Sequence, residues 1–229
     1  MTDLELLITA AALRLAAEPD GGGRLADVPD GEVRAAIRYA QDAVEDVLGF
    51  NPIVHRVDHV VLYRSGPWSG PGGPYDKVYP TGRPVVEVFT AGVTTDGTAL
   101  FPTPAASPYP PPTIQYAVGW RGEHHTLDGT ENGEEPPVVE NALRDLPGLD
   151  GANGGPELSV LPPLVPGAVR SVLVELAAVE LDKRRLNLLG GRRNTTKISE
   201  NSYTSEGYRK DAEAEILARL PVGLRTVSV

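Results

Sequence analysis

Apolar residues in this chain keep helical spacing near both ends and lose it in the middle, a break that limits the available folds more than any other feature. Val33, Ile37, Ala40, Val44 and Val47 recur at intervals of four, three, four and three, one face of an amphipathic helix that Asp27 or Asp30 can cap and Gly49 can end. A weaker helix rich in Ala and Leu is expected before it, over Leu4 to Ala17, set apart by the breaker Asp20-Gly-Gly-Gly23. From Pro52 the period changes. His55 to Tyr63 alternates, with Val57, Val61 and Tyr63 on one side, and further strands are expected over Val85 to Val93, Thr98 to Phe101 and Thr113 to Trp120, with a turn at Asp96-Gly97. From Pro166 the helical period returns through Val169, Leu173, Leu176, Val179 or Glu180, and Leu181, and runs to Gly190-Gly191. Thr204 or Ser205 can cap a last helix that presents Tyr208, Ala212, Ile216 and Leu217 or Leu220 on one face and stops at Pro221.

The order helix, helix, β insert, helix, helix predicts an α+β protein: a mainly helical core of about four helices with a β-rich insertion between the second and third main helices. The expected boundaries are 1–53 for the N-terminal helices and 54–130 for the insertion. An acidic, Pro/Gly-rich linker follows at 131–165, then C-terminal helices at 166–220 and an extended tail at 221–229. No period of 20–50 residues repeats, which argues against a solenoid. With 25 Gly and 22 Pro among 229 residues, much of the chain must be turns and extended loops. The segment Ser65-Gly-Pro-Trp-Ser-Gly-Pro-Gly-Gly-Pro74 can be neither helix nor central strand, and it carries Trp68 at its tip. One short helix is expected at Val138 to Leu146 within the linker.

There is no cysteine, so disulfides, thiolate metal sites and cysteine nucleophiles are excluded. The apolar N-terminus opens with Asp3 and Glu5 where a secretory signal needs Lys or Arg, and no apolar run approaches the roughly 18 residues of a membrane span. A soluble cytosolic protein without membrane contact is expected. The net charge of −10 divides unevenly: residues 1–159 hold 10 Lys/Arg against 23 Asp/Glu, and residues 160–229 hold 11 against 8. An acidic body argues against wrapping nucleic acid, since neutralised phosphates supply most non-specific affinity. The one patch able to meet phosphate or an acidic partner is Lys183, Arg184 and Arg185 with Arg192 and Arg193; solvated helix-end and loop charges are its plainer reading.

Chemistry-bearing motifs are few. His124-His125 on an extended chain point opposite ways and read as loop polar residues, and His55 and His59 on a strand stand roughly 13 Å apart. Gly190-Gly-Arg-Arg-Asn-Thr-Thr-Lys197 lacks the strand and the glycine spacing of a phosphate loop. Glu134-Glu135 sits in a solvent-like setting, and the sequon Asn194-Thr195-Thr196 has no consequence without a secretory signal. No catalytic residue, cofactor site or metal site is expected, and the chain reads as no enzyme.

Four segments, in order, carry a resemblance to a known family. DGEVRAAIRYAQDAVEDVLGF is an opening amphipathic helix; YPTGRPVVEVFTAGVTTDG looks like an "L-P-x-x-P-V" strand followed by a "V-x-x-D-G" turn; TIQYAVGW is similar to a strand written "V-x-Y-x-x-G-Y"; and LPPLVPGAVRSVLVELAAVELDKRR with KISENSYTSEGYRKDAEAEILARL resembles a closing helix, an "S-E-S-x-x-x-Y-S" loop and a last helix. Together they cover most of residues 30–220 and resemble the head-to-tail connector (adaptor) proteins of long-tailed bacteriophages. The chain departs from that pattern in its inserts at 64–78, 101–112 and 121–160, and in Trp120 where the family often has Tyr.

The resemblance implies a structural virion protein, made in the host cytoplasm. It would form a homo-oligomeric ring, a dodecamer by analogy, below the portal protein. The ring would join the capsid to a tail-side neck, stopper or tail-terminator protein and pass genome DNA through its channel without a cofactor. Trp68 and Tyr109 on their loops, and Leu224, Arg225, Val227 and Val229 in the β-branched tail, are the candidate partner-binding residues. Another neck or tail-completion ring protein, or an enzyme of unrecognised mechanism, is the alternative.

Overall fold

A computed structural model of the chain describes residues 3–17, 25, 27–60, 78–102, 113–126, 142–143, 146, 148–149, 156–188 and 205–224. Among these the fold is α+β, with four α-helices and two small antiparallel sheets. The chain divides into a helical unit, residues 6–48 and 165–229, and a β unit formed chiefly by residues 49–164.

In the helical unit, α1 spans Ala10–Ala17, α2 Asp30–Leu48, α3 Gly167–Leu188 and α4 Ser205–Leu217. The spacing of apolar residues determines how α2 packs: Val33, Ala36, Ile37, Ala40, Val44 and Leu48 are fully buried along one stripe, chiefly against α3. On α3 the matching stripe is Val169, Val172, Leu173, Leu176, Ala177 and Leu181. Asp30 and Glu32 stand in the first turn of α2, where negative charge suits the positive end of the helix dipole. Gly49, at φ 74°, closes the helix in the left-handed conformation that glycine adopts without a Cβ penalty.

The expected helix from Leu4 to Ala17 is shorter in the structure. Leu6, Leu7 and Ile8 are all buried, and three consecutive inward side chains do not fit one helix face. Thr9 then caps α1, its Oγ1 accepting from Ala12 N at 3.0 Å. Upstream, Leu7 N donates to the buried Gln41 Oε1 of α2 at 3.1 Å, and Asp3–Glu5 forms a 3-10 turn. Arg14 of α1 binds the described residues just ahead of α2 and its first residue. Arg14 donates to Leu25 O (3.2 Å), Val28 O (2.8 Å) and Asp30 Oδ1 (2.6 Å).

In the β unit, β1 (His55–Val60), β5 (Thr113–Val118) and β2 (Val85–Val88) form a sheet in the order β1-β5-β2, all antiparallel, while β3 (Val93–Thr95) and β4 (Leu100–Pro102) form a hairpin. Val85, Leu100, Ile114, Tyr116 and Val118 make the core, with Val57, Val78, Val88 and Val93 packed on it. The strand expected over Val85 to Val93 is two strands. Thr90 interrupts it: its Oγ1 accepts from Gln115 N at 2.7 Å in place of a ladder bond, and Gly92 turns the chain at φ 77°. The Asp96-Gly97 turn forms as expected, with Asp96 Oδ1 accepting from Thr98 N and Ala99 N, both at 2.8 Å.

One further expectation is corrected. Pro221 is followed by a 3-10 turn at Val222–Leu224, closed by Leu224 N donating to Pro221 O at 3.0 Å, so the tail is not extended there. Of the helix expected over Val138 to Leu146, Ala142, Leu143 and Leu146 are described, Ala142 in a bridge to Thr126 and Leu143 in a 3-10 turn; the rest lies outside the described residues. Residues 61–63 of the first strand lie outside the described residues.

Candidate interaction surface

The β unit presents an apolar strip whose backbone is tied down from two sides. The segment 156–164 is irregular and proline-rich, with a bend at Val160 and a bridge at Leu164. Leu158 and Pro162 point inward, whereas Val160, Leu161 and Leu164 are 51%, 44% and 47% exposed. Pairing of β2 with β5 shifts register between Val85 and Glu87, a bulge that re-aims the Glu87 side chain. Its carboxylate then accepts from Ser159 N at 2.8 Å, from Ser159 Oγ, and from Val160 N at 3.4 Å. From the other side, Arg121 N donates to Pro163 O at 3.0 Å and Arg121 Nε to Pro162 O at 2.9 Å, a bridge that sets Arg121 beside Leu164. A charged acceptor and a charged donor thus hold the backbone while the apolar side chains face solvent. Such an arrangement suits adhesion: the conformational entropy of an irregular segment is lost on folding and not on docking.

The base of this platform is an aromatic corner. Trp120 N donates to Pro52 O and Val54 N to Trp120 O, each at 2.9 Å, and the Trp120 ring lies 5.8 Å from that of Phe50. The next turn brings His124 and His125 together. They lie in a turn, as loop residues were expected to, but they do not point opposite ways: their ring centroids are 4.1 Å apart, with His125 2% exposed and His124 half-buried. The turn is closed by His125 N donating to Gly122 O at 3.2 Å, and Gly122 N donates back to His125 Nδ1 at 3.0 Å. An acceptor Nδ1 places the imidazole proton on Nε2. His55 and His59 lie on β1, opposite Val118 and Ile114. Among the described residues no group of three His, Asp or Glu is placed to hold a metal ion, and no helix is long and apolar enough to cross a membrane.

Of the basic residues singled out, Lys183 and Arg184 belong to an ionic bridge in the helical unit. Glu180 of α3 is 6% exposed; its Oε1 accepts from Arg184 Nε at 2.8 Å, and Lys183 Nζ lies 3.2 Å from its Oε2. The ammonium also sits over the Tyr39 ring of α2, 5.5 Å from its centroid, and Tyr39 OH donates to Glu213 Oε2 of α4 at 3.2 Å. The bridge therefore joins α2, α3 and α4. Its charges shift two groups upward: burial and the adjacent Glu213 raise the Tyr39 phenol above its ordinary value, and the bond to Glu180 raises the Lys183 ammonium. Both cations are spoken for by a buried carboxylate. Arg185 lies on α3, where the backbone alone is described.

Leu224 closes the 3-10 turn after α4 and is half-buried. Trp68, Tyr109, Arg192, Arg193, Arg225, Val227 and Val229 lie outside the described residues, as do Glu134, Glu135 and the Asn194 sequon. The strip at Val160 to Leu164 and its anchors Glu87 and Arg121 went unmarked by sequence reasoning. Its one signal was the run Leu161-Pro-Pro-Leu-Val-Pro166, apolar yet too proline-rich for a helix or a central strand. No model of a known protein family and no curated protein matches the chain.

Proposed function

We propose that the chain is a structural virion protein, a head-to-tail connector that assembles as a ring between a portal and the tail and lets genome DNA pass. The observation that carries this reading is the element order, two helices, an antiparallel β block and two helices, in combination with the four segments that resemble the connector family. Three physical features support it. A ring uses heterologous contacts, one face of each copy on a different face of the next, and such contacts need rigid, pre-shaped surfaces. The backbone-anchored strip at Val160 to Leu164 is one. The net charge of −10 suits a channel that DNA crosses without adhering. Trp68, Tyr109 and the tail residues Leu224, Arg225, Val227 and Val229 are the groups proposed to reach the portal or the tail-side neighbour, because aromatic tips and β-branched ends anchor well on partner surfaces.

Electron microscopy of the purified protein, alone and mixed with purified portal, tests the reading. Rings of uniform diameter, stacked end-on to portal rings in the mixture, are expected. A protein that stays monomeric with portal and is absent from assembled particles overturns it.

A further inference from the structure

We propose that the strip formed by Val160, Leu161 and Leu164 receives the basic C-terminal segment, residues 165–229, of a second copy of this chain, in a head-to-tail contact. The inference rests on the ring reading for the identity of its partner and on geometry for its location. Three large apolar side chains stand out from one short segment, exposed by 44–51%, on a backbone held by Glu87 and Arg121. Leu158 and Pro162 of that segment are buried, while Pro163, between Leu161 and Leu164, is exposed with them, so the outward residues form a contiguous face of their own.

Charge selects the occupant. Residues 49–164 hold 6 Lys/Arg and 13 Asp/Glu, net −7, and residues 165–229 hold 11 and 8, net +3. A two-fold contact pairing the β unit with itself would bring −7 against −7. A head-to-tail contact brings −7 against +3, and electrostatic complementarity of this kind suppresses wrong pairings and fixes register. The exposed charge nearest the strip in sequence, Glu157, has the sign that a basic partner requires. Because the contact joins different faces of successive copies, an open chain of copies keeps one free strip, at its end, until the ring closes.

The test uses the full chain. Val160→Asp combined with Leu164→Asp alters only exposed positions, and circular dichroism checks that the fold is retained. Sedimentation velocity over a concentration series should show association weakened by about tenfold or more, since apolar anchors at an interface centre carry most of the binding. A photo-crosslinking residue at Leu161, in an equal mixture of isotopically light and heavy copies, should give light–heavy crosslinks into residues 165–229. If the wild type forms rings and the double variant forms them equally well, or if the crosslinks fall within residues 49–164, the inference is overturned and the ring reading stands. A double variant that forms rings but no longer joins the portal overturns it too, since the strip would then face the portal. If the wild type is monomeric at every concentration, with and without portal, the ring reading fails and takes the inference with it.

Discussion

Among the described glycines, Gly119 leaves the least room for a side chain. It sits at φ 111° between β5 and Trp120, and a Cβ there would lie 2.6 Å from Ile53 O and 2.9 Å from Val54 N, both backbone atoms that cannot swing aside. Gly119→Ala is therefore expected to destabilise the protein by about 3 kcal/mol or more, combining a strained backbone with a steric clash; chemical denaturation with the Gly97→Ala variant alongside checks it, because Gly97 shares the positive φ but meets nothing within 4 Å. A second residue-scale prediction concerns Tyr39 and Lys183. Each is raised above its ordinary value of 10.0 or 10.5, so each contributes stability that is fully present below that value and lost as pH rises through the higher folded value. Thermal midpoints should hold through neutral pH and fall above about pH 10. Tyr39→Phe should remove the phenol's share of that fall and cost about 1 kcal/mol at neutral pH, through loss of the Glu213 bond.

At the scale of elements, α4 is held on α3 and α2 by few apolar groups. Among its described side chains and the turn that follows, Ile216 and Leu220 are buried; the other anchors are Tyr39–Glu213 and the Arg219 guanidinium, whose Nη1 meets the two Glu175 oxygens at 3.1 and 2.8 Å. Arg219 and Glu175 are both well exposed, and a pair of that kind contributes about 0.5–1 kcal/mol that salt screens. Arg219→Ala should consequently speed hydrogen exchange across residues 211–220 a few-fold and leave α2 unchanged, and 0.5 M salt should shrink the difference from wild type. Unchanged exchange in α4 would mean that the apolar contacts and the Tyr39–Glu213 bond hold it without Arg219. The same elements explain what was legible in advance. The stripe of α2 could be read because a single helix face carries it, and Gly49 marks its end. Less legible were elements that depend on a distant partner. Thr90 breaks a strand because its hydroxyl meets Gln115, and Leu7 leaves the helical path where its amide meets Gln41. The strip at Val160 to Leu164 was hidden for the same reason: local sequence carries its apolar character, while its exposure and rigidity come from Glu87 and Arg121, 73 and 41 residues away. The pairing of Lys183 and Arg184 with Glu180 is the exception, since the three lie three and four residues apart on one helix and local spacing already allows it.

For the whole molecule, the balance of charge decides how it meets DNA. Lys183 and Arg184 are neutralised by Glu180, and Arg14, Arg56 and Arg219 each pair with a carboxylate, so many of the described cations already have anionic partners. What remains is the surplus of 31 acidic over 21 basic residues. Non-specific binding to duplex DNA arises from Lys and Arg neutralising phosphates and releasing counterions, and proteins built for it have dissociation constants on the order of 1–100 µM at physiological salt. This chain should produce no shift of a short duplex in a mobility assay at protein concentrations up to about 100 µM, the weak end of that range. Lowering the salt should not restore binding, because the repulsion between like charges grows as screening falls. The opposite sign of salt dependence, with retention appearing below about 50 mM salt, would mean that a basic face is presented to the duplex despite the overall charge. In the proposed ring the same measurement would report on the channel: a lumen lined by the acidic surplus would repel phosphate, whereas one lined by residues 165–229, with their net +3, would hold the duplex at low salt and release it as salt rises.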